Sequence, residues 1–407
     1  MTWIRSIGTY LPPWQHAGRR AAGLDEDGLT MAVAAGRAAD PDATARRVVM
    51  VSRNFPLLEG GNGAVLLAGL SLGAGCPVSE VLGGGPAALD QILAAAPHTL
   101  VIAADSATTP GAAAVLTGAP GEGAELTEAG RRTRSLPLVA RRDDGSRYEY
   151  LDPRLQREIG VRSTLAGLFP DGRLSVAAVA GTSAAQLDGR LETTGAIEDP
   201  TTSASGVIRL IADAIDARTS GLVIAVEQST VGAAVLTAGD TPPRVARDEA
   251  PARELPAVRI DEGDGIPISL AAYARAFEPK LRWEAAIFEE IPGVDAMPQF
   301  PPRTRVGDAG QLATDYRLTP LPRTGTIYTH TTIRIPVPDL PSPYSIAVIQ
   351  LDDSPVRVLL KLTGVSPGEA TIGQAGSVVL RKIADRCGIP DYGYAFWPGR
   401  TLQGVQA

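Results

Sequence analysis

The sequence predicts a duplicated, layered α/β part followed by a small all-β barrel. Three observations carry that expectation. Short apolar runs alternate with helical stretches over residues 1–124 and again over 166–239, the pattern of helices packed on a sheet. The two passes end alike, in "TLVIAADSATTPGAAAVLTG" (99–118) and "GLVIAVEQSTVGAAVLTAG" (221–239), so the chain holds an internal repeat. From Thr324 onward only short β-patterned runs remain, separated by Gly and Pro turns, which suits a small barrel of about five strands.

In chain order, Trp3–Tyr10 reads as a strand stopped by Pro12 and Pro13, and Asp27–Ala38 as a helix with an acidic entry. Arg47–Ser52 is a buried strand and Gly63–Leu72 an apolar helix. Val78–Leu82 is a strand that runs straight into Gly83, Gly84 and Gly85 and a helix from Pro86 to Ala96. A proline in the first helical turn lacks only an N–H that would be unsatisfied anyway. Thr99–Ala104 and Ala112–Thr117 close the first pass. Glu125–Leu165 is arginine-rich and irregular and reads as a surface excursion. The second pass reads as a strand (Leu174–Ala180), two helices (Ser183–Leu191 and Ser203–Ala217) and two strands (Gly221–Glu227 and Gly232–Thr237). Residues 240–267 are polar and proline-rich, a linker by composition. Residues 268–407 then hold two short helices (Ile268–Phe277 and Trp283–Ile291) and the barrel.

The net charge is −7, and the only lysines are Lys280, Lys361 and Lys382. An acidic chain without a basic block is poorly suited to holding nucleic-acid phosphates. Two cysteines, Cys76 and Cys387, make neither a disulfide framework nor a four-thiolate zinc site. The first residues lack the basic and apolar regions of a signal peptide, and no apolar run approaches 18 residues, so no membrane partner and a cytoplasmic location are expected. Three histidines are few for general acid–base chemistry.

The motifs "IGTYLPPW", "DEDGLTMAVAAGRAA" and "SEVLGGGPAALDQIL" resemble the thiolase superfamily, nearest its HMG-CoA synthase and ketoacyl-ACP synthase III branch, over about residues 1–239. The ordered motifs "FPPR" (300–303), "GTIYTHTTI" (325–333), "PYSIAVIQLDD" (343–353) and "YAFWPG" (394–399) resemble the OB-fold acyl-CoA-associated domain found beside thiolases. The resemblance implies chemistry on acyl-CoA or phosphopantetheine thioesters as substrates, with no tightly bound cofactor. It also implies an OB-fold module that assembles with a thiolase partner.

The same resemblance locates what is missing. The family's cysteine nucleophile stands at the strand-to-helix turn and falls here on or beside Gly85; its histidine falls on Gly181 or Thr182, and its asparagine on Pro200 or Thr201. No catalytic side chain is therefore assigned. The glycines Gly83, Gly84 and Gly85 read either as a tight turn requiring positive φ or as backbone N–H groups facing a thioester. The family's zinc ribbon follows "FPPR", but here that stretch contains no cysteine, so no metal is assigned. Arg131, Arg132 and Arg134 read as a solvated loop or as contacts to CoA or a carrier protein. Cys76 reads as a small buried apolar residue, with a displaced nucleophile as the other reading. His98 reads as a helix-end cation or a satisfied turn residue, His16 as a loop residue and His330 as a strand-face residue. Tyr148, Tyr150, Phe396 and Trp397 belong to the core or to an interface.

Three functional readings follow. The first is a non-catalytic accessory subunit paired with an active thiolase or ketosynthase-type subunit, with an acyl carrier protein as a further partner and a homodimer as the other assembly. The second is a self-sufficient acyltransferase with a non-standard site. The third is an acyl-CoA binding module.

Overall fold

The structure is a computed structural model; it describes residues 1–401 except 59, 108, 135–138, 143, 145, 151, 171–173, 188–190, 240, 262–276, 290, 337, 339 and 387. Its first pass comprises β1 (Thr2–Leu11), α1 (Gly28–Ala39), β2 (Arg47–Ser52), α2 (Asn62–Leu70), β3 (Val78–Leu82), α3 (Gly85–Leu93), β4 (Thr99–Asp105) and β5 (Gly111–Gly118). The second comprises β6 (Ala124–Thr133), β7 (Val176–Ala180), β8 (Ile197–Asp199), α4 (Gly206–Asp216), β9 (Gly221–Glu227) and β10 (Thr230–Thr237), followed by β11 (Arg244–Glu249). All eleven strands join one sheet in the order β8-β7-β9-β10-β6-β1-β5-β4-β2-β3, with β11 also on β1.

Alternation along the strands builds two cores, because successive side chains point to opposite faces. On β4, Val101 and Ala103 enter a core with Ala88, Leu89 and Ile92 of α3 and Val207, Ile208 and Ile211 of α4. Leu100, Ile102 and Ala104 face the other way, onto α1, α2 and the barrel. Helices α3 and α4 therefore share one core between the two passes. Helix α1 starts at Asp27, whose carboxylate accepts the N–H groups of Leu29 (3.0 Å) and Thr30 (2.9 Å) while Thr30 Oγ1 accepts the Asp27 N–H, a reciprocal cap.

The barrel closes through β12 (Thr324–Ile333), β13 (Tyr344–Leu351), β14 (Arg357–Leu362), β16 (Ile389–Pro398) and β15 (Ala375–Arg386), in that spatial order. It packs directly on the first pass. Arg381 of β15 is 1 % exposed; its Nη2 donates to Tyr10 Oη (3.0 Å) and lies 3.3 Å from Glu26. Tyr392 Oη donates to Asp27 at 2.6 Å. Where relatives are expected to carry a zinc ribbon, residues 305–306 and 312–313 pair as a short hairpin. Ala286, Phe288 and Ala313 form a small core beside it, with the Phe288 and Tyr316 rings 5.3 Å apart.

Four sequence expectations change. Within the expected surface excursion, β6 is an interior strand of the sheet, hydrogen-bonded to β10 and β1, and Val161, Leu165 and Phe169 cover the β7–β9–β10 face. Its polar run, "AELTEAGRRT", hides the strand because its outer half is solvated. Ser183–Leu191 is no helix in its described part: only Ala184–Gln186 turn, and Leu187 returns to extended backbone. Trp283–Ile291 is no helix either, since Glu284–Phe288 pair antiparallel with Tyr316–Pro320 and Trp283 has φ +63°. Within residues 240–267, β11 pairs in parallel with Ser6–Leu11 of β1. The expected helix Ile268–Phe277 lies, apart from Phe277, outside the described residues. Among the described residues no helix is long and apolar enough to cross a membrane.

Candidate functional site

Three separate turns meet at the start of α3. A Cβ placed on Gly85 would face Ala225 Cβ at 3.6 Å, Ser203 O at 3.7 Å and Ala180 Cβ at 3.9 Å. Those atoms belong to β9, to the turn after Pro200 and to the residue before Gly181. The Gly181 N–H also donates to Asp199 O at 2.8 Å. The structure thus brings the residue before Gly181 and the turn after Pro200 up to Gly85, although the three segments are far apart in sequence.

What they offer there is backbone. Gly85 has room for a side chain and carries none. Gly181 has φ +83°, and a Cβ on it would lie 1.9 Å from Val226 O, so an imidazole-bearing residue does not fit on this backbone. Pro200 is exposed and has no N–H; its neighbours are fixed by Asp199, which accepts the Thr201 N–H at 3.0 Å and lies 3.4 Å from Arg209.

None of the three glycines adopts positive φ; close contact distinguishes Gly83 and Gly84, but not Gly85. A Cβ on Gly83 would lie 2.5 Å from Ala87 Cβ, and one on Gly84 2.6 Å from Glu227 Oε2. Two of these three amides already have acceptors. The Gly83 N–H donates to Ser52 O (3.1 Å), and the Gly84 N–H donates to Glu227 Oε2 (2.9 Å). No acidic residue stands in the first turn of α3, so Glu227 supplies the negative charge that a helix N-terminus favours. Arg53 holds Glu227 at 3.1 Å and bonds Thr202 O with its other nitrogen.

Asp105 does the corresponding job for α4. It accepts the N–H groups of Ala204 (2.8 Å) and Ser205 (2.9 Å) and the Ser205 hydroxyl (2.8 Å). Burial raises its pKa, and those hydrogen bonds offset part of the rise. Arg53, Asp105 and Glu227 escape a search for family motifs. The repeat itself carries the signal for the two acids, because Asp105 and Glu227 end the matching strings "LVIAAD" and "LVIAVE".

A cleft of about 510 Å³ opens beside the turn, bordered by Gly83, Arg131, Thr133, Arg134, Glu227 and Thr230. Arg131 pairs with Asp90 of α3 at 2.9 Å, and burial keeps the Asp90 pKa raised despite that partner. Arg134 bonds Ser229 through its backbone. Arg132 lies elsewhere, over Gly167. Of the three arginines, only Arg131 and Arg134 line the cleft. Cys76 lies before β3, a five-residue strand away from Gly83, or roughly 17 Å at 3.3 Å per residue, and burial raises its thiol pKa. Cys387 lies outside the described residues. His98 has φ +61°, both backbone groups hydrogen-bonded, and a buried Nδ1 with no partner among the described residues. His330 Nδ1 is likewise buried without a partner, and His16 is exposed. Phe396 and Trp397 are core residues, whereas Tyr148 and Tyr150 are exposed.

The family model for the C-terminal OB-fold domain of ChsH2 matches residues 318–381, which span β12 to β14 and half of β15. No curated protein matches the chain. Among solved structures, 3-oxoacyl-(acyl-carrier-protein) synthase III from Aquifex aeolicus aligns at 17 % identity and a TM-score of 0.44, covering 58 % of this chain and 99 % of its own. Cerulenin-bound OleA from Xanthomonas campestris aligns at 13 % identity and 0.45, covering 58 % and 96 %. The Ltp2-ChsH2(DUF35) aldolase aligns at 18 % identity and 0.25, covering 31 % and 94 %. Over residues 318–381 the chain is thus similar to the C-terminal OB-fold domain of ChsH2, within the closed five-stranded barrel.

Proposed function

We propose that this chain is a non-catalytic accessory subunit that assembles with an active thiolase or ketosynthase-type partner in acyl-thioester chemistry. The observation that carries the reading is the start of α3. Acyl transfer through a covalent intermediate needs a nucleophile and free donors for the oxyanion. Here the nucleophile position is Gly85, Gly181 excludes a base, and the Gly84 N–H is committed to Glu227.

The partner supplies the cysteine, and this chain supplies a surface and the OB-fold barrel. Strand β3 is an edge of the sheet, and its Leu82, next to the glycine turn, is 73 % exposed; an open edge of this kind is a natural pairing surface. Arg131 and Arg134 place positive charge in the adjoining cleft, suited to the phosphates of CoA or the acidic face of a carrier protein.

The test is to incubate the purified chain with isotopically labelled acyl-CoA and record its intact mass and turnover. The reading expects no covalent adduct and no turnover by the chain alone. A stable acyl adduct on Cys76 or any other residue would support the self-sufficient enzyme instead.

A further inference from the structure

A second cleft, of about 400 Å³, lies where α1, β11 and the end of β16 meet, on the barrel side of the sheet. It shares no bordering residue with the cleft at the glycine turn. Its walls carry four arginines and two acids: Arg37, Arg247, Arg253, Arg400, Asp248 and Glu249. Most of these charges are already matched. Arg247 is held by Asp213 and Asp216 at 2.7 Å each, and Arg253 by Glu369 at 2.6 Å. Glu249 accepts the Thr9 hydroxyl at 2.6 Å, and Asp248 is engaged by Arg400.

Arg37 is the exception. Among the described residues its Nη1 reaches only Ser71 Oγ (3.1 Å) and Gly69 O (3.4 Å), and no carboxylate pairs with it. Behind it lies a void of about 20 Å³, bordered by Arg37, Arg323, Arg381 and Arg400. Arg323 shares the Ser71 hydroxyl at 3.4 Å and bonds Tyr394 Oη at 3.0 Å, again with no carboxylate among the described residues. Arg400 is 7 % exposed and its Nη1 is buried with no partner among the described residues. Burial and then the neighbouring Arg323 lower the Arg37 pKa to about 9, with Arg400 adding to the effect.

Arg37, with no carboxylate partner among the described residues, and the unsatisfied buried Nη1 of Arg400 are costly in a sheltered seam. A dianion relieves both, and paired guanidinium groups match a phosphate's oxygens better than any other basic side chain. We propose that this seam binds a phosphate group through Arg37 and Arg400, with Trp397, Pro13 and Val365 against whatever the phosphate is attached to. The inference stands apart from the accessory-subunit reading. The phosphate belongs either to free inorganic phosphate or to a small phosphorylated metabolite.

The test uses the full chain in phosphate-free buffer, with thermal unfolding and calorimetric titration at ionic strength held constant with chloride. Inorganic phosphate should raise the melting temperature saturably, and Arg37→Met should weaken its binding at least tenfold. Arg253→Met, which removes a paired arginine from the same cleft, should bind within about twofold of the parent if its circular dichroism is unchanged. AMP binding at least tenfold tighter than phosphate identifies a phosphorylated metabolite, and equal binding identifies free phosphate. The proposal is overturned if chloride reproduces the phosphate response, if binding does not saturate, or if folded Arg37→Met binds like the parent.

Discussion

Asp105 and Glu227 stand at equivalent ends of the two repeated hairpins, and each closes a helix belonging to the other pass. Asp105, on β4, caps α4 through Ala204 and Ser205, and Glu227, on β9, caps α3 through Gly84. The exchange follows from the duplication: the two helices share one core, so each N-terminus points at the strand end of the opposite pass. At α3 the consequence is functional. The positive end of the helix, which would lower the pKa of a thiol placed there, already faces a carboxylate.

That arrangement predicts how a restored cysteine would behave. Gly85→Cys should fold with a change in stability within about 1 kcal/mol, since its Cβ meets only ordinary contacts. Its thiol should keep a pKa at or above the unperturbed value of about 8.5. Adding Glu227→Gln removes the competing charge and should lower that pKa by about one unit or more. The pH dependence of alkylation reads both values, and a strongly acidic thiol in the single variant would refute the role given to Glu227.

Gly181 should be irreplaceable for a backbone reason. Gly181→Ala combines a left-handed φ with a Cβ 1.9 Å from Val226 O, and should cost about 3 kcal/mol or more. Gly195→Ala is the control, because Gly195 has φ +80° and open space around its Cβ; about 1 kcal/mol is expected there. Denaturant unfolding separates the two, and equal losses would count against the steric argument.

Asp105→Asn should destabilise the chain by about 2 kcal/mol at neutral pH, because an amide cannot accept all three donors. The parent's Asp105 pKa is raised in the folded state by burial. Such a group contributes its stability below the unfolded value of about 3.9 and loses it as pH rises through the folded one. The deficit of the variant should therefore be larger near pH 4 and narrow towards pH 7. A deficit that widens with pH would reverse the assignment.

The attachment of the barrel depends on Arg381. Arg381→Met leaves Glu26 buried beside Tyr10 with its cation gone, a loss expected at about 3–5 kcal/mol. Glu26→Leu in the same chain should recover much of it, since the other acid at Arg381, Asp25 at 3.7 Å, is partly exposed to solvent. Chemical denaturation of the two singles and the double gives the coupling; additive losses would show that the pair is not coupled.

The sequence was most legible where apolar pattern and turn chemistry agree. Arg47–Ser52, Val78–Leu82 and Gly221–Glu227 form the strands read from their residues, and Asp27 caps α1 as its position suggests. It was least legible where a strand is only half covered, as in Ala124–Thr133, or where an Ala- and Glu-rich run imitates a helix, as in Glu284–Phe288. At the site, the absence of side chains at Gly85 and Gly181 was visible in the sequence. The occupation of the Gly84 N–H was not, because Glu227 lies 143 positions away. Only the repeat alignment, which sets Glu227 against Asp105, pointed there.

The most direct test of the central claim is to tag the chain in its native host, isolate it gently and determine the mass and identity of what accompanies it. The account predicts stoichiometric recovery of a thiolase or ketosynthase-type chain with an intact cysteine, and acyl-thioester turnover only by the complex. A lone homodimer that turns over acyl-CoA unaided would contradict it.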